Sequence, residues 1–406
     1  MNDRKPTRKE RREGLIKSAK RIVVKVGSGV LTGEGYQDVD ETVVAEIARQ
    51  VAIIKKAGRR VAVVSSGSVV LGSKILKLRR HGLTIPEKQA SAAIGQGGLT
   101  SLWARHLGAQ GLKAGQILLT HDDMSHRRRF LNARSAINTL LDFDVIPVIN
   151  ENDTVAVHEL KFGDNDTLSA RVTNLLEADL LVILSDVDGL YSADPRIDKT
   201  GVKIDYVEVV DDKILEIAKD SSSATGLGGM ASKVKAAAEA AKFGAATIVL
   251  SGAQRGALES ALKGEDVGTF FFPHEDRMKS KKHWIVFHLK SQGRVMVDEG
   301  AQKALTHGGR SLLASGISRV EGAFESGAAI YLVGEDGSEF AKGLVKYHSH
   351  ELEKIKGQKS DKIDKILGYK PSNEVMHRDD MVLIEGIGDI MKYESDVSSD
   401  LKSRIR

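Results

Sequence analysis

A lysine inside a strand that is covered on both sides is costly unless its ammonium meets an anion or reaches water. Lys25 occupies such a place, near the carboxyl end of the apolar run 22–26, and Gly27, Ser28 and Gly29 follow it. It reads either as a side chain snorkelling from a strand tip or as a cation for a phosphate, which the small residues would let backbone N–H groups approach. A second apolar run, 61–64, ends in Ser65, Ser66, Gly67 and Ser68; a serine-capped turn explains these residues as well as a ligand loop does. The densest polar group is Asn150, Asn152 and Asp153 after the run 145–149, followed by Asp164, Asn165 and Asp166 at the start of a helical pattern. Helix capping accounts for one or two of them, not for the cluster. Amides and carboxylates gathered at strand ends suit a small zwitterion, because carboxylates bind an ammonium while amides and backbone N–H groups bind a carboxylate. Finally, Gly226, Leu227, Gly228 and Gly229 lead through Met230, Ala231 and Ser232 to Lys233 and an alanine-rich helix over 231–243. Such a loop presents N–H groups at a helix N-terminus, a setting for phosphate that Lys233 would reinforce. The Gly-Lys-Ser/Thr order of a Walker A loop is absent, and a plain connector before a helix is the other reading.

These residues need a frame that brings strand ends together. From Arg21 onward, short β-rich runs (22–26, 61–64, 116–119, 145–149, 180–184, 247–250) alternate with helical patterns. Between the first two, Val44, Ile47, Val51 and Ile54 recur at helical spacing and Gly58 stands where the helix should stop. The strand runs are almost continuously apolar, which predicts an α/β fold with a mainly parallel sheet sandwiched between helices. Ligands of such sheets bind beyond the carboxyl ends of the strands. Every residue singled out above lies at such an end or at the start of a helix; His121, Asp122, Asp123 and residues 127–129, which follow the run 116–119, are placed to line the same site but read equally as a solvated helix start. After about Pro273, short segments at 284–289, 294–297 and 329–333 alternate with glycine turns, predicting a small, mostly β second domain. The expected division is a basic N-terminal tail (1–20), an α/β domain (21–272), a second domain (283–386) and a polar C-terminal tail (387–406).

A chain of 406 residues exceeds what one core usually supports. With no cysteine, disulfides, thiolate metal sites and a cysteine nucleophile are excluded. The 12 histidines form no metal-binding spacing. No apolar stretch approaches the roughly 18 residues of a membrane span and no secretory signal opens the chain, so the expectation is a cytoplasmic protein without membrane contact. The net charge of +5 owes much to the basic run 4–12, read as a solvated tail or frayed helix.

Taken in order, the segments around Lys25, Ser66, Asn150–Asp153, Asp164–Asp166 and Gly228–Lys233 resemble the motifs of the glutamate 5-kinases, a branch of the amino acid kinase family. The resemblance covers residues 21–272 and continues through Val297–Ala301 and His377–Met381, which resemble a PUA domain. It implies ATP-dependent phosphorylation of the side-chain carboxylate of L-glutamate, with Mg²⁺ on the nucleotide. Lys25 and Lys233 would stabilise the transferring phosphoryl group and Asp166 would orient them. Ser66, Asp153 and Asn165 would bind glutamate, with Asp164 and Asn150 beside them. Gly27, Ser185, Asp186 and the stretch Leu227, Gly228, Gly229, Met230, Ala231, Ser232 and Lys233 would meet ATP. Two positions depart from the family pattern: Ser185 stands where threonine is more frequent, and Leu227 where threonine is common, which removes a hydroxyl from the loop. The resemblance also implies proline as feedback inhibitor and hand-over of a labile acyl phosphate to glutamate-5-semialdehyde dehydrogenase; a homo-oligomer is expected. Acetylglutamate- or uridylate-type kinases share the fold and the lysines and are the alternative enzyme reading. RNA binding by the second domain is a further alternative, disfavoured because that domain lacks a basic run interleaved with aromatics.

Overall fold

In a computed structural model of the chain, residues 6–32, 38–79, 82–156, 165–194, 197–220, 229–274 and 289–384 are described. The chain divides into two compact units, Met1–Glu275 and Asp276–Arg406. The expected C-terminal tail (387–406), Asp164, Gly226, Leu227 and Gly228 lie outside the described residues, as does most of the expected strand at 284–289.

The first unit is built on an eight-stranded sheet in the order β3-β4-β2-β1-β5-β9-β10-β8. Its strands are β1 (Arg21–Val26), β2 (Arg60–Ser65), β3 (Lys113–Leu119), β4 (Val145–Glu151), β5 (Leu180–Ser185), β8 (Tyr206–Val207), β9 (Ala246–Ser251) and β10 (Thr269–Phe271), while β6 (Leu190–Tyr191) and β7 (Lys203–Ile204) form a separate antiparallel pair. All six runs expected as strands are strands. The pairs from β3 to β9 are parallel, and only β9 with β10 is antiparallel among the pairs of this sheet. The run 247–250, the last strand expected in the first domain, is not the last in the sheet, because β10 adds to it and Phe270, Phe271 and Phe272 are buried there. Three aromatic residues behind Gly268 carry the strand signal; their brevity hid it.

Strand periodicity divides the core into two layers. Ile22, Val24 and Val26 of β1 join Val61 and Val63 of β2 and Leu180, Val182 and Leu184 of β5 in one layer, covered by the helices Glu41–Lys56 and Ile85–Gly108. Val23, Ala62, Val64, Leu181 and Ile183 face the other layer, covered by the helices Asn165–Leu175 and Met230–Lys242. Lys25 shares the parity of Val23. It therefore belongs to the face on which the two helices carrying Asp166 and Lys233 lie.

Val44, Ile47, Val51 and Ile54 are the buried stripe of the helix Glu41–Lys56, whose N-cap Asp40 accepts from Thr42 N. Gly58 ends it at φ 79°. The helices Ser68–Ile75 and Ile85–Gly108 cross in unusually close contact: a Cβ at Gly95 would lie 1.9 Å from the Ser68 carbonyl oxygen. Only glycine allows that approach, and it brings the next residue, Gln96, to the end of β4.

From Arg8 onward the opening basic run is not a solvated tail. Arg8–Ser18 is a helix opened by a capping box between Thr7 and Glu10, with Ile16 and Arg12 buried. Arg12 pairs with Asp266 and donates to the Glu265 carbonyl, and it lies over the Phe270 ring; Arg11 and Arg8 meet Glu208. The arginines read as a charge run are anchors, because their partners lie about 200 residues or more further along the chain. Sequence spacing cannot show such partners.

The second unit holds a five-stranded sheet ordered β12-β11-β13-β14-β15, from β11 (Arg294–Val297), β12 (Ile317–Glu321), β13 (Ala329–Val333), β14 (Glu339–Leu344) and β15 (Met381–Leu383). Its own core gathers Val295, Val297, Ile330, Leu332 and Tyr347 with Leu305, Leu352 and Ile363 from short helices.

Candidate active site

At the carboxyl end of the sheet, three charged side chains are buried together. Asp166, in the first turn of the helix Asn165–Leu175, is 0% exposed, and Lys25 and Lys233 are each 5% exposed. Lys25 Nζ pairs with Asp166 Oδ1, and Lys233 Nζ stands 3.3 Å from Oδ2. Ser232 Oγ donates to the same Oδ2 at 2.6 Å. Burial opposes ionisation of this carboxyl most strongly. The ammoniums of Lys25 and Lys233 and the Ser232 hydroxyl override that opposition and hold its pKa far below the usual carboxylate range. One carboxylate between two ammoniums leaves a net positive charge in a site largely withdrawn from water, a strong attractor for phosphate.

The surrounding backbone is shaped for such a ligand. Gly27 N donates to Leu184 O at 3.2 Å, tying the β1 loop to β5; a Cβ at Gly27 would press to 3.3 Å from that carbonyl oxygen and stand in contact with Lys25 Nζ at 3.5 Å. Gly229 is the N-cap of Met230–Lys242, and among the described residues no side chain caps that helix start, which leaves N–H groups of its first turn available to an anion. Ser185, at the end of β5, lies one residue beyond the register pair Val26–Leu184, and its Oγ donates to Asp186 Oδ1 at 3.0 Å.

Next to the charged trio runs a chain of hydrogen bonds among the polar residues at the strand ends. Asn165 Nδ2 donates to Ser66 Oγ at 2.7 Å and to Asn150 Oδ1 at 3.0 Å. Asn150 Nδ2 donates to Gln96 Oε1 at 2.9 Å and lies 3.2 Å from Ser68 Oγ, which donates to Asp153 Oδ2 at 3.3 Å. Asn165 Oδ1 is buried with no hydrogen-bond partner among the described residues. A buried amide oxygen without a donor is expensive, and a ligand N–H would satisfy it.

The sequence is similar to known proteins along nearly its full length. The amino acid kinase family model matches residues 20–251 and the PUA domain model matches residues 293–367. Proteins named glutamate 5-kinase are 48% identical in Geobacter sp. strain M21 and 47% identical in Geobacter sulfurreducens, each over 92% of this chain and 100% of theirs. The one in Syntrophotalea carbinolica is 46% identical over 92% of this chain and 99% of its own. The chain belongs to the amino acid kinase family, among the glutamate 5-kinases.

Within this amino acid kinase fold, Lys25, Lys233 and Asp166 meet directly, and Ser66, Asn150, Asp153 and Asn165 form one connected group. Ser185, Asp186, Gly27, Gly229, Met230, Ala231 and Ser232 stand at the same sheet edge. Asp164, Leu227 and Gly228 fall outside the described residues. Within the cluster after β3 Arg129 pairs with Asp123, while His121 contacts Arg171 of the helix Asn165–Leu175. Sequence reading missed Gln96 and the side-chain contacts of Ser68 and Ser232. A glycine inside a helical pattern, Gly95, was the available signal for the first. A second unanticipated contact is Trp103 Nε1 donating to Ser65 Oγ at 2.8 Å, which anchors the end of β2 from the helix Ile85–Gly108.

Proposed function

We propose that this chain transfers the γ-phosphoryl group of ATP to the side-chain carboxylate of L-glutamate, giving glutamyl 5-phosphate, the first step of proline biosynthesis. The observation that carries the reading is the buried Lys25–Asp166–Lys233 arrangement at the carboxyl end of the sheet. Phosphoryl transfer asks little covalent chemistry of a protein; it needs in-line placement and positive charge at the transferring oxygens. Lys25 and Lys233 supply that charge. Asp166 limits their mutual repulsion and aims them. Glutamate's carboxylate is already a nucleophile, so no general base is required.

On this reading Gly27, Ser185, Asp186 and the stretch 227–233 hold the nucleotide, the phosphates lying at the uncapped start of the helix Met230–Lys242. Mg²⁺ carried on the nucleotide would neutralise phosphate charge; Asp166, engaged by two ammoniums, would leave the ion to the phosphates. Ser66, Asp153 and Asn165 take the amino acid, with Asn150 and Asp164 beside them. The unsatisfied Asn165 Oδ1 and the Asp153 carboxylate suit the ammonium of an amino acid. Proline acts as feedback inhibitor at an overlapping site, the acyl phosphate passes to glutamate-5-semialdehyde dehydrogenase, and the protein works as a cytoplasmic homo-oligomer.

Incubation with ATP, Mg²⁺ and candidate acceptors, trapping acyl phosphate with hydroxylamine, tests the central claim. Glutamate should yield hydroxamate and acetylglutamate should not; turnover of uridylate in place of glutamate would refute the reading.

A further inference from the structure

We infer that Ser232 is a positioning residue that acts through Asp166, holding its carboxylate so that Lys233 keeps its charge directed at the transferring phosphoryl group. This rests on the reading of the site as a phosphoryl-transfer centre. Ser232 is in the first turn of the helix Met230–Lys242, immediately before Lys233. Both side chains meet Asp166 Oδ2, but not equally: the hydroxyl is 2.6 Å away and the ammonium 3.3 Å. The closer partner is the neutral one.

The hydroxyl has one proton and two acceptors in reach, Asp166 Oδ2 and the Gly229 carbonyl oxygen at 2.8 Å. An ionised carboxylate is the stronger acceptor, so the proton goes to Asp166. With Lys25 on Oδ1, the plane of the carboxylate is then fixed from β1 on one side and from the helix Met230–Lys242 on the other. Without the hydroxyl, Oδ2 would draw Lys233 Nζ inward, because Asp166 is fully buried and bulk water cannot take the serine's place. An ammonium closed onto the carboxylate turns its remaining donors away from the phosphates. The serine thus satisfies the carboxylate without spending the lysine's charge. Its hydrogen bond is also among the influences that keep Asp166 ionised.

The test is steady-state kinetics of the full chain with ATP and glutamate, for Ser232→Ala and Ser232→Thr, alone and in the Asp166→Asn background. Ser232→Ala should lower kcat about tenfold, the effect of losing one hydrogen bond to a charged group in the transition state. KM for ATP and for glutamate should each move by less than about twofold, since the Ser232 hydroxyl is engaged by Asp166 and the backbone through which the stretch 227–233 meets the nucleotide is unchanged. Ser232→Thr, which keeps the hydroxyl, should restore turnover, and Ser232→Ala should cost nothing further once Asp166 is Asn. Wild-type kcat in Ser232→Ala, a loss carried by the KM for ATP, or additive losses in the double variant would each overturn the inference. A wild-type protein that fails to phosphorylate glutamate would strike the proposed function itself, and this inference with it; an active wild type with an indifferent Ser232→Ala strikes the inference alone.

Discussion

Asp166 is the residue on which the charges of the site converge, and two expectations follow from its environment. Asp166→Asn keeps the shape but removes the charge that organises Lys25 and Lys233, so turnover should fall by about 10² or more while the protein still melts cooperatively. Lys25→Ala and Lys233→Ala should each act on kcat to a similar extent, about 10². Near-normal kcat in any of the three would remove the basis for the assignment. The carboxyl also links to stability. Its pKa is depressed on folding, so its contribution is fully present above the unfolded value near 4 and disappears only as pH falls through the lower native value. Wild type should therefore melt above Asp166→Asn throughout the range from about pH 5 to 8, with the gap narrowing only in strong acid; melting curves across that range decide it, and a gap that closes already near neutrality would contradict the depressed pKa. For the neighbouring polar group, Asn165→Ala and Asp153→Ala should raise the KM for glutamate much more than that for ATP. The opposite pattern would place this group on the nucleotide.

At the level of elements, the helix Arg8–Ser18 binds the far side of the sheet rather than trailing from it. Arg12 is 2% exposed and reaches Asp266 and the carbonyls of Glu265 and Val267. Arg12→Ala removes those bonds and the contact of its guanidinium with the Phe270 ring, and should destabilise the first unit by about 1–3 kcal/mol with kcat unchanged. Chemical denaturation of the variant is the measurement, and an unchanged midpoint would show that the helix only rests on the surface. The helix Ile85–Gly108 acts at the opposite end of the sheet. Its Gly95 contact and its Trp103 bond fix it against the end of β2, and from there Gln96 reaches Asn150.

For the whole molecule, every group given a chemical role lies in the first unit, whose sheet takes in β10 between β9 and β8 and whose core buries Phe272. His274 N still donates to Ala241 O. A chain ending at His274 should therefore fold and phosphorylate glutamate, with proline sensitivity open to change because a neighbouring domain can bias a conformational equilibrium without supplying catalytic groups. Ending at Leu250 instead should prevent folding, since β10 and its aromatic residues would be missing. Kinetics and thermal melting of both truncated chains test this. A chain ending at His274 that melts cooperatively yet does not turn over would mean that the second unit completes the site.

How much of this was written in the chain itself depends on the range of the interaction. The parallel sheet was legible because β1, β2, β4, β5 and β9 are apolar on both faces, a local property. Lys25 stood out because it breaks that rule, and the Asn and Asp residues after β4 exceeded what capping could absorb. Strand parity even implied the face toward which Lys25 points, though not what it meets there. The contacts themselves span about 67 to 140 residues of sequence: Lys233 to Asp166, and Asp166 to Lys25. Pairing at such separations depends on how strands order themselves in a sheet, which no local pattern encodes. The same reason hid Arg12 behind a run of charges, β10 behind its three-residue length, and Gln96 behind a helix whose glycine marked a close approach without naming its partner. Residue types and periodicity determined the fold and the chemistry on offer; the tertiary structure alone decided which ammonium, hydroxyl and amide share a carboxylate, because only packing converts distance along the chain into distance in space.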